Sequence, residues 1–186
     1  MLAFQAGDEG AFEELVEAYS GPVFSLLTRF LGPVARREDL VQEVFLRVLG
    51  ARDRYTPTAR FSTWIYRIAF NLCANERARR TELRSLSEAF GADDPEAATP
   101  EPVDPDAPAP HEALERDDVV HAVRTAIARL PDRQRMALIL AKYEGLSHVE
   151  IGEVLGVSDR AIKSLVYRAR ETLRERLAAY LPEEAV

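Results

Sequence analysis

The stretch from Asp93 to Pro110, DDPEAATPEPVDPDAPAP, constrains this chain more than any other. It holds six of the eleven prolines. Each proline removes a backbone donor and blocks a helix ladder, and the acids repel one another. Residues 86–112 are therefore predicted to be an extended, mobile linker. It divides the chain into an N-terminal unit, residues 1–85, and a C-terminal unit, residues 113–182. No internal repeat and no glycine-rich phosphate loop stands out.

The same region explains the charge. The net charge of the 186 residues is −7, yet Asp93 to Asp118 alone carries ten acids against one base, Arg116, for −9. The remainder sums to +2 and is free to meet nucleic acid. With 47% hydrophobic residues the chain is not disordered overall. No apolar run approaches the roughly 20 residues of a membrane helix; MALILA and FSLLTRFL are core-sized. No N-terminal signal pattern is present. Cys73, the single cysteine, excludes an internal disulfide and a cysteine-rich zinc site. His111, His121 and His148 are not at metal-ligand spacing, and no cofactor is expected. A reducing, cytoplasmic location fits.

Both units read as helical, with no convincing period-2 strand. Phe12, Leu15, Val16 and Tyr19 lie one helical turn apart, with Asp8 as N-cap and Gly21-Pro22 as a stop. A second apolar stretch runs from Val23 to Leu31 and ends at Gly32-Pro33. The third, REDLVQEVFLRVLG, carries Leu40, Val41, Val44, Phe45, Val48 and Leu49 on one stripe. The fourth starts near Ser62, with Trp64, Ile65, Ile68, Ala69 and Leu72 inward and Cys73 as a small core residue. After the linker, Val119, Val120, Val123, Ile127 and Leu130 form a stripe ending at Pro131. A helix over Asp132–Tyr143 ends at Gly145. Ser147 and Glu150 then make a capping box, Gly156 a left-handed cap, and Ser158 the next N-cap. Helix, tight glycine turn, helix is the helix-turn-helix pattern.

Three faces are left over once the inner stripes are assigned. On the last helix, Ile162, Val166, Ala169 and Leu173 share the inner side, while Arg160, Lys163, Ser164, Tyr167, Arg168 and Arg170 lie elsewhere. From Arg160 to Arg170 there is no acid. Such a helix can enter the major groove, its cations meeting phosphates or guanine edges; the plainer reading is a solvated charged face. On the third helix, Asp39, Gln42, Glu43 and Leu46 oppose the apolar stripe. An exposed leucine among polar groups suits a partner helix, although lone surface leucines are ordinary. On the fourth, Thr63, Tyr66, Arg67, Phe70 and Arg77 point away from the inner stripe. Aromatics interleaved with cations suit single-stranded DNA; the alternative is that Tyr66 and Phe70 are core. No nucleophile–base pair, metal cluster or Walker loop is visible, so no enzymatic activity is expected.

DLVQEVFLRVL, FSTWIYRIAFN and LPDRQRMALILAKYEGLSHVEIGEVLGVSDRAIKSLVYRARETL, in this order, resemble the extracytoplasmic-function (ECF) group of bacterial RNA polymerase sigma factors. GDEGAFEELVEAYSGPVFSL fits the start of that group. The resemblance implies an all-α fold of two small helical domains, sigma domains 2 and 4, joined by a flexible acidic proline-rich linker that runs toward the RNA exit path. It implies promoter recognition and DNA melting as a dissociable subunit of core RNA polymerase. Asp39, Gln42, Glu43, Phe45 and Leu46 lie in the block that docks on the β′ clamp helices. Phe45 points inward by periodicity, leaving the other four. The second domain of the family meets the β flap. The RFSTWIYRIAFN block opens the upstream element and holds a flipped base, with Asn71 near that base. The last helix reads the farther element as duplex. Leu165 stands where many relatives carry arginine, which favours contact with a thymine methyl. The chain ends soon after Leu181 with no sensory domain in view, so a separate anti-sigma factor is expected to regulate it. Two other readings remain open: a stand-alone helix-turn-helix regulator that binds no core polymerase, and an adaptor that binds only proteins.

Overall fold

The computed structural model describes residues 1–32, 36–90 and 110–180, and among these there is no strand. The first unit comprises α1 (Leu2–Gln5), α2 (Gly10–Leu31), α3 (Arg37–Gly50) and α4 (Phe61–Phe90). The second comprises α5 (Pro110–Ala128), α6 (Asp132–Tyr143), α7 (His148–Leu155) and α8 (Asp159–Arg176). Short 3₁₀ turns follow α3 and α8.

Asp8 Oδ1 accepts from the Ala11 amide at 3.3 Å in the first turn of the first long helix, although the N-cap position itself falls on Glu9 rather than on Asp8. Gly21-Pro22 does not end that helix. α2 runs straight through Pro22 to Leu31, joining two stretches expected to be separate. A proline in a helix interior costs about 3 kcal/mol. Val23, Leu26, Leu27 and Phe30 beyond it are all fully buried, at roughly 1.5–3 kcal/mol each. Burial therefore outweighs the break. Gly21 lowers the cost further, since it has no Cβ to crowd the proline ring.

In α3, Leu40, Val44, Phe45 and Val48 are buried as expected, but Leu49 is 42% exposed. It falls two turns after Gln42, about 20° away around the helix, and so belongs to the outer face. Ahead of α5's end, Val119 and Val120 are also exposed rather than inward, at 40% and 42%; Ala126 and the following Leu130 are the buried anchors.

Helix occupies both ends of the stretch expected to be linker: α4 continues to Phe90 and α5 begins at Pro110. The rest of that stretch, 91–109, lies outside the described residues, as does Pro33.

The two units do not stand apart. One buried cluster includes Leu26, Phe30, Val44 and Ile65 from the first and Met136, Leu140, Ile151 and Val166 from the second. α6 is the pivot. It packs on α7 and α8 of its own unit and on α2 of the other, and its residues from Arg135 to Leu140 are all buried. α4 packs on α2, α3 and α7.

Candidate nucleic-acid and partner interfaces

The α7–α8 pair is built by local rules. Ser147 and Glu150 form the reciprocal capping box, with the Ser147 amide donating to Glu150 Oε2 at 2.9 Å and the Glu150 amide to Ser147 Oγ at 3.3 Å. Those bonds, from the Ser147 backbone first, hold the Glu150 carboxyl below its usual range. Gly156 takes φ 65°, ψ 39°, a left-handed conformation that disfavours any side chain. Ser158 Oγ accepts from the Ala161 amide at 3.3 Å and starts α8.

α8 buries Ile162, Val166 and Ala169 and turns Arg160, Lys163, Ser164, Tyr167, Arg168 and Arg170 to solvent. Tyr167 is 66% exposed, a large ring held outside with no core role. Leu165 is half-buried and leans on the core, so less of it is offered outward than of its neighbours. Lys163 Nζ lies 2.9 Å from Asp159 Oδ2, an exposed pair that a phosphate could displace at small cost. This face can make backbone contacts to duplex DNA with four cations and add edge contacts from Ser164 and Tyr167.

The second face divides. Arg67 and Asn71 are exposed on α4, and Arg77 is half-buried. Thr63, Tyr66 and Phe70, expected to face outward, are buried. For Tyr66 the cause is the second unit, which packs where solvent was expected. Tyr66 Oη donates to Glu144 Oε2 at 2.8 Å, and burial, then that bond, pushes the phenol's pKa upward. Arg77 pairs with Asp132. The Phe70 ring meets Phe30 edge-on with centroids 6.1 Å apart. Trp64 is half-buried in an aromatic group with Tyr55 and Phe61, in keeping with a packing role. Burial pushes the Cys73 thiol up, as for an inert core residue.

The third face lies on α3. Asp39 and Gln42 are exposed, Glu43 is half-buried, and Leu46 is 61% exposed. Asp39 pairs with Arg36 at 3.5 Å and Glu43 with Arg47 at 2.9 Å. Leu49 joins Leu46, so the apolar centre is wider than one leucine. The helical angle from Gln42 was the signal for it; grouping it with the inner stripe hid it.

Arg135 and Glu144 are the residues that sequence reasoning passed over. Arg135 is 3% exposed. Its Nη1 donates to the Phe30 carbonyl at 2.7 Å and its guanidinium sits 5.3 Å from the Phe30 ring centre. Glu144 accepts from Tyr66 and lies 3.7 Å from Arg29. No sequence signal distinguishes either from an ordinary surface charge. Among the described residues no group of histidine, cysteine and carboxylate side chains could hold a metal, and no helix is long and apolar enough to cross a membrane.

Two family models match the chain: sigma-70 region 2 over residues 15–82 and sigma-70 region 4 over residues 121–173. ECF RNA polymerase sigma factor SigW of Bacillus subtilis (strain 168) is 32% identical over 171 residues, covering 92% of this chain and 91% of that one. RNA polymerase sigma-H factor of Pseudomonas aeruginosa is 32% identical over 179 residues, with 96% and 92% covered. The ECF RNA polymerase sigma-E factor of Escherichia coli (strain K12) is 32% identical over 174 residues, with 91% and 87% covered. Two solved structures share the fold at 23% identity. CnrH in complex with the cytosolic domain of CnrY has a TM-score of 0.65 over 94% of this chain and 92% of that chain. The sigma factor RpoE in complex with the anti-sigma factor NepR from Bartonella quintana has 0.64 over 90% and 97%.

Proposed function

The chain belongs to the ECF group of RNA polymerase sigma factors, and from that premise we propose how its residues divide the work of promoter recognition and melting. The unit of residues 1–85 binds core RNA polymerase and opens DNA, and the unit of residues 113–182 reads duplex; residues 86–112 connect them. On α8, Arg160, Lys163, Arg168 and Arg170 hold phosphates or guanine edges, Ser164 and Tyr167 add contacts, and Leu165 meets a thymine methyl. On α4, Tyr66 and Phe70 stack on unpaired bases, Arg67 and Arg77 follow the backbone, and Thr63 and Asn71 contact the flipped base. On α3, Asp39, Gln42, Glu43 and Leu46 dock on the β′ clamp helices, while the second unit meets the β flap. Engaging polymerase and two promoter elements at once gives avidity.

The protein works in the cytoplasm without catalysis of its own, since the core polymerase makes the bonds. Related folds are seen bound to CnrY and to the anti-sigma factor NepR; a protein of that class regulates this one. One observation carries the division of labour: a tightly capped helix pair presents α8 with all four of these cations at the surface and its apolar side buried. Run-off transcription with core polymerase on a genomic fragment library tests it. Discrete start sites that appear only when the protein is added support the proposal. Promoter-fragment binding without core polymerase, and no transcripts with it, would favour a stand-alone regulator.

A further inference from the structure

The acid-free run of α8 begins one residue after Asp159, the first residue of the helix. We infer that Asp159 is a specificity-determining residue of the duplex-reading face, and that its carboxylate accepts from the N4 amino group of a cytosine in the major groove. Asp159 has this role only if α8 reads duplex as proposed above.

Asp159 stands where the two helices of the turn converge. Its Oδ2 lies 2.9 Å from Lys163 Nζ and its Oδ1 lies 3.9 Å from His148 Nδ1. His148 is the first residue of α7, so the carboxylate sits at the start of both helices. In helix-turn-helix docking the first helix crosses the DNA backbone, and the N-terminal residues of the second reach base edges. Residue 159 is therefore among the first to meet the groove. The fold itself asks little of this carboxylate. The capping bond of α8 comes from Ser158, whose Oγ accepts from the Ala161 amide at 3.3 Å. The Asp159 side chain is 41% exposed, and Lys163 and His148 are exposed to a similar or greater degree, so these pairs add little to stability. A negative charge in the first turn favours the helix dipole, but a glutamate would supply that equally.

A carboxylate at a DNA surface is unfavourable unless a donor takes it. In the free protein that donor is Lys163. A phosphate draws Lys163 away at small cost, and Oδ2 then loses its partner as the groove excludes water from it. A desolvated acceptor left without a donor is penalised, and a charged one more so. The exchange is therefore favourable only where the DNA supplies a donor. The major groove offers two, cytosine N4 and adenine N6. Beside adenine N6 lies the N7 lone pair, which repels a carboxylate; beside cytosine N4 lies a C–H. Guanine presents N7 and O6, and thymine presents O4, all of them acceptors. Asp159 thus selects cytosine, while the exposed Arg160, Arg168 and Arg170 of the same helix keep the face attractive to phosphate.

The test uses the full chain with core polymerase on a promoter recovered from the fragment library. Each base pair of the upstream duplex element is replaced in turn by the other three, and run-off transcripts give the base preference at every position. Wild type should favour cytosine at one position by about fivefold or more. Asp159→Asn should move the preference at that position to adenine, whose N6 and N7 an amide can pair with together, and leave the other positions unchanged. Asp159→Ala should flatten that position alone. Circular dichroism melts should show both variants folded, with Tm close to wild type. Identical preferences in wild type and both variants would overturn the assignment and leave Asp159 as a helix-dipole residue. A uniform gain or loss across all positions would overturn it too, because that is a change in phosphate affinity. Lys163→Ala/Arg168→Ala judges the underlying reading. If that double variant binds duplex promoter as wild type does, α8 is not the reader and the role of Asp159 falls with it. If it weakens binding while the Asp159 variants keep wild-type preferences, only the cytosine contact fails.

Discussion

Replacing Gly152 by alanine sets two effects against each other. Gly152 lies inside α7, where alanine is favoured over glycine by about 1 kcal/mol. In this fold, however, a Cβ at Gly152 would lie 2.7 Å from the Val157 carbonyl oxygen. That oxygen belongs to the backbone of the α7–α8 turn and cannot swing aside as a side chain would. The turn is also pinned, because the Val157 amide donates to the Gly152 carbonyl at 3.0 Å, the six-to-one bond of a Schellman cap. Overpacking costs about 1–3 kcal/mol, and a backbone obstacle puts this case near the top of that range. The net loss is about 2 kcal/mol, or a Tm about 4–8 °C lower for a chain of this size. Gly50→Ala is the control, since nothing lies within 4 Å of its added Cβ; its Tm should stay level or rise. Thermal melts followed by circular dichroism read both. Duplex promoter binding should weaken in Gly152→Ala as well, because the clash moves α8 relative to α7. A Gly152→Ala protein that melts at or above the wild-type temperature would refute the argument that turn geometry overrides helix propensity.

Lys163→Ala with Arg168→Ala should weaken duplex promoter binding and lower the salt slope by about one unit for each phosphate left without its cation; unchanged affinity across a salt series would remove α8 from the DNA. Leu46→Ala with Gln42→Ala should leave Tm nearly unchanged, since surface changes usually fall within about 0.5 kcal/mol, yet weaken core-polymerase binding about tenfold, or 1.4 kcal/mol. Fluorescence anisotropy against core enzyme checks it, and equal affinities would make this face plain surface. The buried Glu76 carboxylate accepts from Arg79 at 2.7 and 3.0 Å and from Arg80 at 3.2 Å, and Arg79 leads in holding its pKa down. Its stabilisation is present above the unfolded carboxylate pKa of about 4.3 and is lost as pH falls through the lower folded value. Glu76→Gln should therefore lower Tm at neutral pH and flatten the acid limb, and superimposable Tm–pH curves for mutant and wild type would exclude that role.

Features decided over short distances along the chain are legible in the sequence, and those decided over long distances are not. The Ser147–Glu150 box, the Gly156 cap and the Ser158 cap each depend on groups within a few residues, and the structure has all three. Asp8 is equally local. Gly21-Pro22 is local as well, but its stop signal was outvoted by apolar residues that α2 buries beyond it. Leu49 was open to correction from the helical angle alone.

By itself the sequence determined the helical class, the turn between α7 and α8, the ordered blocks that place the chain in its family, and the acidic proline-rich stretch. These rest on periodicity, capping and composition, which are properties of neighbouring residues. Only the tertiary structure decided what covers the far side of α4. The atoms that bury Tyr66 include a carboxylate 78 residues away, and Arg135, which belongs to a helix rich in charge, ends inside the core against Phe30, 105 residues earlier. An amphipathic pattern states that a face is apolar; it does not state which distant helix will meet it, because burial there is a contest among surfaces that only the folded chain settles.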